Sequence, residues 1–124
     1  MGLSGVGVAM RAAPTVRGVT ISSFNSNKGQ VVYRVWGDGA SPWGQSWTPV
    51  NPKDVSNYRS VAGLPDVNAG RFVTEGVLEC NEGVIVREAQ IIKAGQQGGL
   101  TEYVIPNAMD KIRVLRVSGV NPEF

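Results

Sequence analysis

The sequence predicts an α+β fold built mostly from strands, with antiparallel or mixed sheets split into two packed layers and one or two short helices between them. Three observations carry this expectation. Short runs of β-branched and aromatic residues, several with apolar and polar positions alternating, recur in six or seven places along the chain. Sixteen glycines and seven prolines among 124 residues place turn signals at close intervals. The helical signal is brief, confined to residues 52–59.

Taken in order, residues 1–16 are glycine- and alanine-rich and read as a flexible leader, leaving 17–124 as one domain with chain enough for a single hydrophobic core. Gly5-Val6-Gly7 lacks the third glycine and the preceding strand of a nucleotide-binding loop. Val16 to Ser22 alternates as a first strand, and Asn25 to Gly29 is a turn cluster. Gln30 to Trp36 is a strong strand that ends at Gly37-Asp38-Gly39. A loop follows from Ala40 to Pro52. Asn51 then caps a short helix with Pro52 at its first position, stopped by Gly63. Further strands are expected at Arg71–Glu79, Val84–Lys93, Thr101–Ile105 and Ile112–Val117, the third of them entered from a glycine-rich loop at 95–99.

Composition excludes several classes of chemistry. The chain has no histidine, the side chain that most often moves protons near neutral pH. With one cysteine and no histidine a tetrahedral zinc site is excluded, and no metal is expected. Cys80 has no intramolecular disulfide partner and reads as a small buried hydrophobe. The twelve lysines and arginines are scattered and net charge is only +2, so no nucleic-acid partner is expected. No apolar run approaches membrane-spanning length, and the first residues lack the layout of a signal peptide. Catalysis by this chain would have to rest on positioning and electrostatics.

Three segments contain residues suited to that. Arg34 lies mid-strand and shares a face with Val32 and Trp36; it is either a solvated strand arginine or a fork for phosphate or carboxylate. Ser46 and Thr48 form either an ordinary hydroxyl turn or a pair in which one hydroxyl fixes a carboxylate. Glu102 follows the glycine-rich loop at the start of a strand, as a solvated glutamate or a substrate-facing one. Trp36, Trp43 and Trp47 cluster nearby in sequence, as docking anchors or as core.

The order strand-Arg, Ser-x-Thr, loop-strand-Glu resembles the Arg-Ser-Glu class of ADP-ribosyltransferases, the cholera-toxin-like group. More closely, the stretches Val-Val-Tyr-Arg-Val-Trp-Gly-Asp-Gly (31–39), Gly-Gln-Ser-Trp-Thr-Pro-Val-Asn-Pro (44–52), Asn-Tyr-Arg-Ser-Val-Ala-Gly-Leu-Pro (57–65), Gly-Arg-Phe-Val-Thr-Glu-Gly-Val-Leu (70–78), Gly-Gly-Leu-Thr-Glu-Tyr-Val-Ile-Pro-Asn (98–107) and Val-Ser-Gly-Val-Asn-Pro-Glu-Phe (117–124) resemble the TreTu family. These are toxin domains at the C-terminal tips of Rhs polymorphic toxins, exchanged between competing bacteria by type VI secretion. Gly2-Leu3 also resembles the end of the junction at which Rhs proteins release their tips.

The resemblance implies split sheets around an NAD cleft, with NAD as co-substrate. It implies Glu102, Ser46 and Arg34 as catalytic residues, with Glu102 on the nicotinamide ribose, Ser46 orienting it and Arg34 on the phosphates. Thr48 would line the site and the Val35 backbone would meet the nicotinamide amide. Phe72, or next Tyr58, would cover the nicotinamide ring. One departure is Leu100, where many members of the class carry Gln or Glu that helps choose the acceptor. The implied acceptor is elongation factor Tu, modified in the recipient cytoplasm so that translation stops, and the implied second partner is a cognate immunity protein. The residues also admit a metal-free ribonuclease toxin using Glu, Arg and Lys, and a non-enzymatic β-rich binding module.

Overall fold

Strand signals dominate the chain, and strands form its frame. The computed structural model describes residues 15–16, 19–20 and 27–124. Its strands are β1 (Thr15–Val16), β2 (Val19–Thr20), β3 (Val31–Asp38), β4 (Ser46–Trp47), β5 (Asn68–Leu78), β6 (Ile85–Glu88), β7 (Thr101–Val104) and β8 (Ile112–Gly119). They make two antiparallel sheets, one ordered β1-β2-β6-β7-β4 and the other β3-β5-β8. Few residues are helical, so the α+β class holds in its strand-rich form. The sheets meet where Tyr33 of β3 bridges Thr48, just past β4, through reciprocal backbone bonds of 2.8 and 2.9 Å.

Two apolar clusters form the core. Val32, Trp47, Leu78, Val86, Tyr103, Ile105 and Ile112 are among the buried residues of the first. Val35, Tyr58, Leu64 and Val73 make the second, with Leu100, Val120 and Phe124 packed against it. Strand β3 feeds both, Val32 to one and Val35 to the other, and Arg34 stands between them. Strict alternation fails here because Arg34 and Val35 are both buried.

Several elements differ from the sequence expectation. The helix expected over 52–59 divides into a 3₁₀ turn, Pro52–Asp54, and a single α-turn, α1 (Tyr58–Val61). Asn51 does cap the first, accepting from the Lys53 amide at 3.0 Å, but Val55 turns extended and packs on the second cluster, which interrupts the helical path. Gly63, at φ +62°, follows α1 as expected of a stop. The strand expected to reach Lys93 ends at Glu88, and Ile91 and Ile92 are exposed. Their segment leaves the sheet because the facing strand β7 is only four residues long. Residues 89–100 fold instead onto α1: Gln97 and Gly98 amides donate to the Ser60 carbonyl, and the Leu100 amide to Val61. Strand β3 runs past Gly37 to Asp38 through an irregularity in its pairing with β5.

Thr15 and Val16, assigned by sequence to the leader, pair with Val19 and Thr20; the rest of the expected leader, 1–14, lies outside the described residues. So do 17–18 and 21–22 of the expected first strand and 25–26 of the turn cluster. Cys80 is half-buried, just past β5, and not fully enclosed. Among the described residues no helix is long and apolar enough to cross a membrane.

Candidate active site

Arg34 is placed by β3, whose backbone pairs with β5 through Arg34 opposite Thr74. Its side chain is turned inward and only 8% exposed, so its charge needs partners. Backbone carbonyls supply them. Nε and Nη2 donate to the Ser41 carbonyl at 2.9 and 2.7 Å, and Nη1 donates to the Ser46 carbonyl at 3.0 Å. The guanidinium thereby ties the 41–46 loop to β3. Burial lowers its pKa, and Tyr58 acts in the opposite sense.

Glu102 is placed by β7, the strand between β6 and β4. Ser46 lies opposite Val104, so Glu102 is its diagonal neighbour on the same face. The Ser46 hydroxyl donates to Glu102 Oε2. On the other side Arg87 of β6 lies directly opposite Glu102, and its Nε meets Oε1 at 2.8 Å. The carboxylate is held from both flanks and its side chain is 13% exposed, against 32% for Arg87.

Thr48 is buried and its hydroxyl is committed to the backbone, donating to the Thr101 carbonyl at 2.8 Å and accepting from the Val50 amide at 3.1 Å. It braces the turn after β4 against the start of β7. Tyr58 is buried at the first position of α1, with its ring 5.2 Å from that of Phe124. Burial pushes its pKa far above the ordinary value; the Glu102 charge adds to the shift and the Arg34 charge opposes it. The Val35 carbonyl accepts from Asn68 Nδ2 at 2.9 Å.

These residues surround one cavity of about 420 Å³, within the ~300–1,000 Å³ typical of small-molecule sites. Arg34, Ser46, Thr48, Arg87 and Glu102 give it polar walls, and Val35, Tyr58, Leu64 and Leu100 give it apolar ones. Of the seven residues singled out from sequence, Arg34, Val35, Ser46, Thr48, Tyr58 and Glu102 line it. Phe72 does not. It sits across from Trp36 on β5, stacked at 4.5 Å, beside a separate recess formed with Arg71 and residues 119–123. Of the two rings expected over a nicotinamide, only Tyr58 faces the cavity.

The tryptophans divide. Trp47 is 1% exposed and belongs to the core, Trp43 packs on it at 6.0 Å, and Trp36 bonds Thr74 through Nε1 at 2.9 Å. Sequence reasoning missed Arg87. An opposite charge facing Glu102 was its only signal, and reading it requires the β6–β7 register across the intervening 89–100 segment. Comparison of the chain with protein-family models, with curated proteins and with solved structures finds no match in any of the three.

Proposed function

We propose that this chain is a mono-ADP-ribosyltransferase toxin domain that uses NAD as co-substrate and has an ADP-ribosyltransferase-like arrangement of its two sheets. The observation that carries the reading is the Ser46–Glu102 hydrogen bond inside a cavity that Arg34 and Tyr58 also line. Residues distant in sequence, Arg34, Ser46 and Glu102 of the motif order among them, line that cavity together. The donor set suits a dinucleotide: a guanidinium group for its anionic part, apolar and aromatic walls for a ring, and a fixed carboxylate for a sugar hydroxyl.

The chemistry suits a chain without histidine. The nicotinamide–ribose bond of NAD breaks with its electron pair going to the ring nitrogen, so the leaving group departs neutral and positive charge grows on the ribose. Glu102 answers that charge, and an electrostatic group contributes most when it is preorganised. Ser46 on one side and Arg87 on the other hold the carboxylate in place before substrate arrives. Arg34 and Thr48 fix the walls around it through backbone carbonyls. Tyr58 presents its ring as the apolar cover for the nicotinamide.

In this reading the acceptor is elongation factor Tu, modified after delivery as a secreted effector into a recipient bacterium, and a cognate immunity protein protects the producer. Mass spectrometry of a bacterial lysate incubated with the chain and NAD tests class and target together. The expected result is one ADP-ribose increment on elongation factor Tu. Cleaved RNA with NAD intact would replace the reading by the ribonuclease one, and loss of neither would leave a binding module.

A further inference from the structure

Resting on that reading, we infer that Arg87, rather than Arg34, is the cation that takes the substrate's diphosphate, and that without substrate the same guanidinium neutralises Glu102. The two arginines are the cationic residues lining the cavity, and they are unlike. Arg34 is 8% exposed and spends three of its N–H groups on the Ser41 and Ser46 carbonyls. Its Nη2 side is closed by Gly44, whose place could not hold even a methyl group without a 2.3 Å approach to that nitrogen. Its two remaining N–H groups belong to terminal nitrogens that those carbonyls already hold in place.

Arg87 has the opposite disposition. Its side chain is 32% exposed, and it meets Glu102 side-on through Nε. That contact leaves Nη1 and Nη2, the end of the fork that matches two phosphate oxygens, without another hydrogen bond among the described residues. An anionic diphosphate entering the cavity therefore finds a planar donor pair already in place on a rigid strand. Sharing the guanidinium charge with that diphosphate also weakens its hold on the carboxylate. Glu102 then exerts on the ribose a field that the paired, net-neutral group would not. Arg87 thus couples arrival of the anionic part of the substrate to the charge state of the catalytic site.

The test uses the intact chain and two measurements. Titration calorimetry with inorganic pyrophosphate reads the anion subsite without turnover, and steady-state NAD hydrolysis separates KM from kcat. Arg87→Gln is expected to weaken pyrophosphate by about tenfold or more and to raise KM for NAD by a similar factor. Arg87→Lys, which keeps the charge without the fork, is expected to fall between. Thermal melting of each variant separates these effects from unfolding. Unchanged pyrophosphate affinity in Arg87→Gln overturns the inference, as does an Arg34→Lys variant that melts like wild type yet loses pyrophosphate as severely. A kcat loss with KM unchanged also overturns it, since that is the mark of a merely structural ion pair. If wild type binds pyrophosphate through Arg87 but consumes no NAD, the proposed function fails while the anion subsite stands. If NAD is consumed and Arg87→Gln is indifferent, the reverse holds.

Discussion

Gly44 lies against the guanidinium of Arg34 so closely that a methyl group in its place would come within 2.3 Å of Nη2. The tip of a free arginine would simply swing aside. This one is tied to the Ser41 and Ser46 carbonyls and almost fully buried, so retreat would break bonds to a buried charge. Gly44→Ala should therefore cost about 1–3 kcal/mol. Arg34→Ala should cost on the order of 3 kcal/mol, because it strands both carbonyls and opens a hole between the two core clusters. Urea denaturation measures both. Wild-type stability in either variant would mean that the guanidinium is a passenger and not a tie.

Glu102→Gln keeps the volume of the side chain and an oxygen for the Ser46 hydroxyl while removing the charge. Release of nicotinamide from NAD is expected to fall by at least ~100-fold, the scale of one preorganised electrostatic group. The melting temperature should move little, because the Arg87 partner is one-third exposed and surface-like pairs contribute ~0–1 kcal/mol. Ser46→Ala should lower the rate less, with KM for NAD nearly constant, since its hydroxyl acts through the carboxylate. Turnover of Glu102→Gln near the wild-type rate would remove Glu102 from the chemistry.

How much of this was legible in the sequence depends on the range of the interaction. Strand existence was local information: alternation and β-branched runs marked β3, β5, β7 and β8, and their ends shifted by a few residues. Asn51 and Pro52 started a turn as expected, but whether it continued depended on Val55, which went to the second core cluster. Ile91 and Ile92 looked like strand because their apolar character is local, whereas the length of the facing strand β7 is not. Among site residues, Arg34, Ser46 and Glu102 were visible as the motif order, yet the choice between Phe72 and Tyr58 was not. Both rings lie in quoted motifs, and only the β3–β5 register carries Phe72 away from the cavity to Trp36. Arg87 was hidden for the same reason: a cross-strand pair has no sequence signature until the register is known.

The wall behind Tyr58 depends on the end of the chain. The Phe124 ring lies 5.2 Å from the Tyr58 ring, its amide donates to the Gly70 carbonyl at 3.0 Å, and its carbonyl accepts from Arg59 Nε at 2.9 Å. Phe124→Ala keeps the backbone ties but removes the ring, at a cost of about 2 kcal/mol for a half-buried aromatic. Tyr58 then loses its backing, so NAD affinity should fall together with stability. Phe124→Leu should recover most of both. Stability lost with unchanged KM for NAD would show that Tyr58 is held by its other neighbours.

The three tyrosines give the fold a predictable alkaline limit. Tyr33, Tyr58 and Tyr103 all have pKa values raised above the ordinary 10.0, with burial the largest cause in each. A folded-state pKa above the unfolded one means that the unfolded chain gives up its protons first. The tyrosine contribution is thus fully present below pH 10 and is lost progressively as pH rises through the folded-state values. Tyr58 has the largest shift, so it should be the last phenol to ionise in the native protein, with a delayed rise in phenolate absorbance. Tyr58→Phe should make stability fall less steeply above pH 10. Glu102→Gln should bring the Tyr58 transition downward, because the Glu102 charge is the second cause of its shift and the opposing Arg34 charge would remain. A native spectrum in which all three phenols titrate together at the ordinary value would contradict the enclosure of Tyr58 and, with it, the aromatic wall of the cavity.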